Sequence, residues 1–288
     1  MQWKPDWGLR GRMALTMFLL FALYLVFVVV IAQTNLVGYL VLMVPFLVAQ
    51  FFFSDRLALY SMGAREVSEE EYPELHAMVS RLSQQADLPK PKVTVADSRV
   101  PNAFATGRSQ KKSAVCVTTG IMRTLNQEEL EGVMAHELAH IKNRDVAVMT
   151  VASFLSTIAF MIVRWGAFFG GGRDRNNGGV IVAIVASLAV WIVSFVLIRT
   201  LSRYREFAAD RGGAVITGKP SALASALLKI DGTMDSVPKE DLREQSEMNA
   251  FFIIPIRSGF IGRLFSTHPT TEKRVERLRA LERELETA

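Results

Sequence analysis

Apolar residues recur along this chain at three spacings, and each spacing predicts a different element. Met13 to Ala32 and Leu36 to Phe53 contain no charged side chain, and each approaches the ~20 residues that an α-helix needs to cross a bilayer. Val146 to Val163 and Val180 to Ile198 form a second apolar pair of similar length. A helical hairpin buried in a soluble core would read the same way. The rest of the chain is not apolar enough to wrap it, so four membrane-spanning helices in two hairpins are expected. Between the hairpins the period changes. Ser68 and Glu71 have the capping-box spacing, and Leu75, Met78, Val79 and Leu82 follow at helical intervals up to about Ala86, ahead of Pro89 and Pro91. Lys92 to Ala96 alternates as a strand does, Ala114 to Thr118 is a second strand closed by Gly120, and Asn126 with Glu129 opens a further helix. Asp231 to Phe265 holds Gly232, Pro238, Pro255 and Gly259 and reads as a flexible flap, whose Phe251 to Ile254 would line a pocket or rest on lipid. Thr271, Val275, Leu278 and Leu281 make the stripe of a terminal amphipathic helix. The expected fold is α+β and mainly α, with hairpins at 13–53 and 146–198 and a soluble domain divided between 54–145 and 199–288.

Composition agrees with that picture. Half of the 288 residues are apolar and the mean hydropathy is positive, which is unusual for a soluble enzyme. Lys4, Arg10 and Arg12 precede the first span as they would in a signal peptide. The span is longer than an h-region, however, no small-x-small cleavage site follows, and a second apolar run comes at once, so it is expected to stay as an anchor. Lys and Arg gather at the N-terminus, after Phe53 and after Ile198, whereas the Gln33 to Asn35 turn is uncharged. The positive-inside rule then puts both termini and the soluble domain in the cytoplasm. Arg164, Arg173 and Arg175, near the outer turn of the second hairpin, run against that rule. The formal net charge of +5 suits a chain lying on an anionic lipid bilayer, and no basic patch interleaved with aromatic residues points to nucleic acid. Cys116 is the single cysteine, which excludes an internal disulfide and a Cys-rich zinc site and suits a reducing compartment. Flanked by β-branched apolar residues, it reads as a small buried hydrophobe.

The chemistry lies in His136-Glu137-Leu138-Ala139-His140. Residues four apart project from one helix face, so two imidazoles can meet one cation while the Glu137 carboxylate stands over the open coordination position. The chain has four histidines and this motif holds two of them, which makes a chance match on a surface helix a poor account. His76 lies off the apolar stripe of its own helix, with no metal-binding residue at ligand spacing, and reads as a surface residue. A catalytic zinc ion usually takes three protein ligands and keeps one position for water. The third candidate is Glu206 in Arg205-Glu206-Phe207-Ala208-Ala209-Asp210. Asp210, one helical turn further on, is placed to accept the free ring N–H of His136 or His140. Taken alone, solvated ion pairs at a helix start would explain Arg205, Glu206 and Asp210 equally well. The antiparallel apolar pair tips the reading to ligation: the metal helix runs into the third span and Glu206 follows the fourth, so both ligand sets return to one membrane face.

HELAH, REFAAD, Thr267-His268-Pro269 with Arg274 downstream, and Pro101 to Gly107 upstream together resemble the HtpX-type membrane zinc endopeptidases over almost the full length. The CAAX prenyl proteases are more distant relatives. The resemblance implies a zincin-like (gluzincin) catalytic domain, one zinc ion on His136, His140 and Glu206, catalysis by Glu137, and a supporting Asp210. It further implies His268 as a transition-state donor, and Asn102 and Ala103 in an edge strand that pairs with substrate backbone. The substrates it implies are polypeptides, membrane proteins foremost, in the quality control of damaged chains at a bacterial cytoplasmic (inner) membrane. Read without it, His268 before Pro269 would equally open the terminal helix, and Asn102 after Pro101 would be an ordinary turn residue. Other classes make different demands. A transporter would carry ionisable residues inside its spans, and these spans are almost bare. An inactive scaffold stabilised by zinc, or a processing protease with one membrane substrate, are the remaining alternatives.

Overall fold

The computed structural model describes residues 6–32, 45, 48–49, 52–53, 55–169, 178–234, 237, 253–254 and 268–287. In chain order the elements are helix α1 (Trp7–Ala32), strand β1 (Ala64–Glu66), helix α2 (Pro73–Gln85), strands β2 (Lys92–Ala96), β3 (Ala103–Ser109) and β4 (Lys112–Thr118), and helices α3 (Thr119–Thr124), α4 (Gln127–Lys142), α5 (Asp145–Phe169), α6 (Gly178–Thr217), α7 (Pro220–Met234) and α8 (Thr271–Glu286). The fold is α+β and mainly helical. The chain forms two compact units, one from Met1–Lys4, Ser54–Ala147 and Arg205–Ala288, the other from Pro5–Phe53 and Val148–Tyr204.

Among the described residues three helices are long and apolar enough to cross a membrane: α1, α5 from Asp145 to Arg164, and α6 from Ile181 onward. Within the second unit their inner faces share one core, to which α1 gives Leu20, Phe27 and Ile31, α5 gives Ile158 and Ile162, and α6 gives Val190. Two buried polar groups inside that core are paired, as an environment without water favours. Tyr24 Oη donates to the Ala152 carbonyl at 2.6 Å, and Ser194 Oγ to Ser156 Oγ at 3.1 Å. Phe18, Phe21, Val26, Val151, Ile181, Val185 and Val196 stay exposed on the outside, a distribution that suits lipid rather than water. The expected span from Leu36 to Phe53 lies mostly outside the described residues, as do most of the Gly170 to Gly179 turn and of the Asp231 to Phe265 flap. α6 does not stop at Ile198. It runs for 40 residues, about 60 Å at 1.5 Å per residue, so the REFAAD motif sits on the continuation of an apolar helix.

The first unit holds a four-stranded sheet in the order β1-β2-β4-β3. β2 pairs parallel with β4, and β1 and β3 pair antiparallel with β2 and β4 respectively. Val115, Cys116 and Val117 of the inner strand β4 are buried, the continuous apolar run of a strand covered on both faces. β3 is an edge strand, and its register with β4 breaks between Gly107 and Ser109. α4 opens on the expected capping box, with Asn126 accepting from Glu129 N and Glu129 accepting from Asn126 N. Every residue from Gly132 to Ala139 is buried, and two glycines let other backbones reach the helix. A Cβ on Gly132 would lie 2.9 Å from Leu223 N in α7, and one on Gly213 in α6 would lie 2.8 Å from His136 N.

Two local expectations are corrected. The reciprocal Ser68 and Glu71 bonds form, but they close a turn, and α2 starts later with Tyr72 at its N-cap and Pro73 in its first turn. His76 is not a surface residue: its side chain is mostly buried, and Nε2 lies 3.1 Å from the Val67 carbonyl.

Candidate active site

α4 and the polar end of α6 bring together the three residues expected to hold a metal. The nearest ligand atoms of His136, His140 and Glu206 lie within 4.8 Å of one another. His136 Nε2 and His140 Nε2 are 3.1 Å apart, His140 Nε2 and Glu206 Oε1 are 3.5 Å apart, and His136 Nε2 and Glu206 Oε2 are 3.7 Å apart. Ligands 2.0–2.1 Å from a tetrahedral zinc ion stand ~3.4 Å from each other, and the three separations bracket that value. His136 and Glu206 are buried, whereas the His140 side chain keeps 15% of its surface, so the cluster is open on the His140 side.

The far ring nitrogens explain why the near ones converge. His136 Nδ1 lies 3.0 Å from Asp210 Oδ1, and His140 Nδ1 lies 2.5 Å from Asp145 Oδ2. With Asp210 beside His136 Nδ1 and Asp145 beside His140 Nδ1, the two Nε2 atoms are left for one shared point that Glu206 also faces, where a cation would offset the negative charge. The donor set therefore fits zinc. Each supporting carboxylate has an arginine of its own. Arg274 in α8 is 1% exposed and forks onto Asp210, Nε donating to Oδ2 at 2.9 Å and Nη2 to Oδ1 at 2.6 Å, while Nη1 donates to the Ile253 carbonyl at 2.9 Å. Arg205 Nε lies 2.9 Å from Asp145 Oδ1.

These charges set the protonation of the cluster. Burial would raise the Asp210 and Asp145 carboxyls, but Arg274 and His136 hold the first below its ordinary value, and His140 and Arg205 hold the second below its own. Burial would likewise raise Glu206, yet His268, His140 and Arg274 keep it well down. Burial alone would lower the His140 imidazole, but Asp145, Glu206 and Glu137 lift it to about 9, a measure of the negative charge gathered around it.

Glu137 is buried on the same helix, and its Oε2 accepts from Ala105 N at 2.8 Å. Burial raises its pKa against the pull of His136 and His140. His268 arrives from the segment before α8, with Nδ1 3.1 Å from Glu206 Oε2. Asn102 and Ala103 are buried and lead into β3. The Asn102 backbone pairs with Thr118 on both sides, and its Oδ1 accepts from Ile253 N at 3.1 Å. Asn102 is thus an anchor of the edge strand. The sequence reading had no role for Asp145, Arg205 or Arg274, although Arg205 and Arg274 stand inside its motifs. The one available signal for Asp145 was a carboxylate five residues past His140, just beyond the helix end.

The model of Peptidase family M48 matches residues 69–282. The chain belongs to peptidase family M48. "Protease HtpX homolog 2" of Methanosarcina mazei is 54% identical to this M48 chain over 290 residues, covering 99% of each. "Protease HtpX homolog" of Moorella thermoacetica is 54% identical over 293 residues, covering 99% of this chain and 98% of its own. The homolog of Thermococcus kodakarensis is 46% identical over 86% of this chain and 91% of its own. In fold, the M48 chain is similar to the crystal structure of S. mikatae Ste24p, with a TM-score of 0.56 at 16% identity, covering 94% of this chain and 66% of that one. The family makes this protein a metalloendopeptidase that acts on polypeptides and takes a metal cofactor, generally zinc, and its three long apolar helices fit a membrane.

Proposed function

We propose that this M48 protein is a zinc-dependent endopeptidase of the cytoplasmic membrane face that hydrolyses misfolded or damaged membrane proteins. The observation that carries the reading is the tetrahedral spacing of His136, His140 and Glu206 with the Glu137 carboxylate beside them. A zinc ion on those three residues would polarise the scissile carbonyl and acidify a water molecule. Glu137 takes the proton from the attacking water and returns it to the leaving amine. Its burial raises its pKa, and the Ala105 N–H fixes one carboxylate oxygen, which leaves the other for the proton transfer. His268 donates to the oxyanion that develops on the substrate carbonyl, a contribution of roughly 3 kcal/mol for one such donor.

The edge of β3 supplies the backbone that holds an extended substrate. Asn102 pairs with Thr118 across β4, so by strand alternation Ala103, Ala105 and Gly107 turn their backbone groups away from the sheet. The Ala105 N–H is taken by Glu137 and Ala103 is buried, which leaves Gly107 and the Ala105 carbonyl for pairing. Main-chain pairing tolerates many side chains, which suits a protease that meets diverse damaged proteins. A buried HExxH helix beneath a sheet whose edge strand crosses the motif is also what supports a zincin-like assignment. Asp145 begins one apolar helix and Glu206 follows the apolar part of another, in keeping with work on membrane-embedded chains.

The test is casein digestion by detergent-solubilised protein, with and without chelator, for the wild type and Glu137→Gln. The variant should bind one zinc per chain and leave casein intact; turnover at the wild-type rate would exclude the mechanism. In proteoliposomes a destabilised membrane protein should be degraded faster than its folded parent, and equal rates would remove the quality-control role.

A further inference from the structure

Beyond Ala105, β3 and the C-terminal end of α4 enclose a cavity of about 380 Å³. One wall is the strand and its turn from Ala105 to Lys111, and the other is His140, Ile141 and the segment from Arg144 to Ala147. The cavity therefore begins at a candidate metal ligand and follows the edge on which a substrate would pair. Its lining carries Arg108, Lys111 and Arg144 against a single acid, Asp145, whose two oxygens already face His140 and Arg205. Among the described residues neither Lys111 nor Arg144 has a carboxylate partner. Arg144 also sits at φ +56°, a left-handed conformation that glycine or asparagine adopts more readily. Nothing in the backbone asks for arginine there, so the residue is explained by the charge it presents.

We propose that this cavity is a substrate subsite for an acidic side chain of the polypeptide, with Arg144, Lys111 and Arg108 setting the preference. The inference rests on the reading of β3 as the substrate-pairing edge. At about 3.3 Å per residue, the strand from Ala105 to Ser109 reaches roughly four residues beyond Glu137. The favoured Asp or Glu accordingly falls about two to four residues from the cleaved bond, on one side of it. Val146 and Ala147 open the apolar run of α5, which makes an anionic lipid headgroup the rival occupant. The polypeptide is favoured because His140 lines the cavity and its longer wall is the pairing edge.

The experiment uses the full-length zinc-loaded protein in non-ionic detergent and a neutral fluorogenic peptide carrying a single Glu, Gln or Lys at each of four positions on either side of the cleaved bond. On one side only, Glu should raise kcat/KM about three- to fivefold over Gln, the size expected of partly exposed ion pairs. The advantage should shrink with added salt. Arg144→Gly, which suits the local φ, should bring the Glu to Gln ratio close to one, and Arg144→Glu should turn it in favour of Lys. If the wild type cleaves the neutral peptide but Glu holds no advantage at any position, or an equal one on both sides, the subsite is wrong and the protease reading stands. If phosphatidylglycerol vesicles, rather than peptide charge, change the rate through Arg144, the headgroup is the occupant and the proposal falls. Absence of any zinc-dependent cleavage would remove the catalytic reading and the subsite with it.

Discussion

Replacing Arg274 by Met tests whether the cluster stands on the guanidinium behind it. Arg274 and Asp210 are both almost without solvent contact, and two hydrogen bonds of 2.6 and 2.9 Å join them. Met fills much of the volume, so the variant leaves a buried carboxylate without its charge partner instead of opening a void. Breaking a buried pair on one side costs ~3–5 kcal/mol. At ~2–4 °C per kcal/mol for a unit of this size, the melting temperature should fall by roughly 6–20 °C. Asp210 would also lose its fixed position beside His136 Nδ1, and loss of such an orienting group weakens metal binding ~10–100-fold. Adding Asp210→Asn removes the stranded charge, so the double variant should regain part of the stability while its zinc affinity stays low. The assays are thermal melting of the chelator-treated protein in detergent and zinc competition against a chromophoric chelator. A single variant that melts within about 2 °C of the wild type, or a double variant less stable than the single, would refute the reasoning.

Four further outcomes follow from particular contacts. Asp145→Asn should weaken zinc binding ~10–100-fold in the same competition, because an amide still fills the space beside His140 but no longer draws its N–H as a carboxylate does; wild-type affinity would show that Asp145 does not orient the ligand. Gly213→Ala should destabilise the protein by ~1–3 kcal/mol and weaken zinc binding, since the new methyl meets the His136 backbone; a neutral effect on both would mean that α4 and α6 pack less closely than described. Burial would raise Glu129, but Lys229, Asn126 and Ser225 hold it below its ordinary value of 4.5. Its stabilising share is therefore present above pH ~4.5 and lost as pH falls through the folded pKa, so Glu129→Gln should flatten the acid-side fall in melting temperature. The Cys116 thiol is buried and pushed up to about 11, so iodoacetamide at pH 8 should label it only after denaturation, and labelling faster than unfolding would contradict its placement.

What could be read in advance was local. The apolar runs of α1, α5 and α6, the capping box of α4 and the His136 to His140 spacing are each governed by residues within a few positions of one another, so pattern alone reveals them. α7 was also open to such a reading, because Leu223, Leu227 and Ile230 recur at helical spacing after Pro220. β1 has three residues and no alternation to detect. The roles of His76, Asn102 and Arg274 were hidden for a different reason. Their partners Val67, Ile253 and Asp210 are supplied by other segments of the chain, and for Asn102 the partner is 151 residues away. Ser68 and Glu71 mark the opposite limit, in that the local bonds form as expected and the position of Pro73 decides where the helix begins.

That division bears on how the metal cluster is built. His136, His140 and Glu206 are sequence-visible as candidate donors, yet three donors alone do not hold a site together. The holding is done by two buried charge pairs, Arg274 with Asp210 and Arg205 with Asp145, one behind each imidazole. Arginine suits this place because it stays charged when buried, which lysine does not reliably do. A permanent positive charge keeps each aspartate ionised, an ionised aspartate attracts the Nδ1–H, and an imidazole protonated at Nδ1 presents a bare Nε2. Both arginines lie outside the HExxH helix: Arg205 precedes Glu206 on α6, and Arg274 belongs to α8. The ligand geometry of α4 is therefore set by the return of the chain after its apolar helices, and variants of those distant arginines should cost metal affinity before they cost the helix.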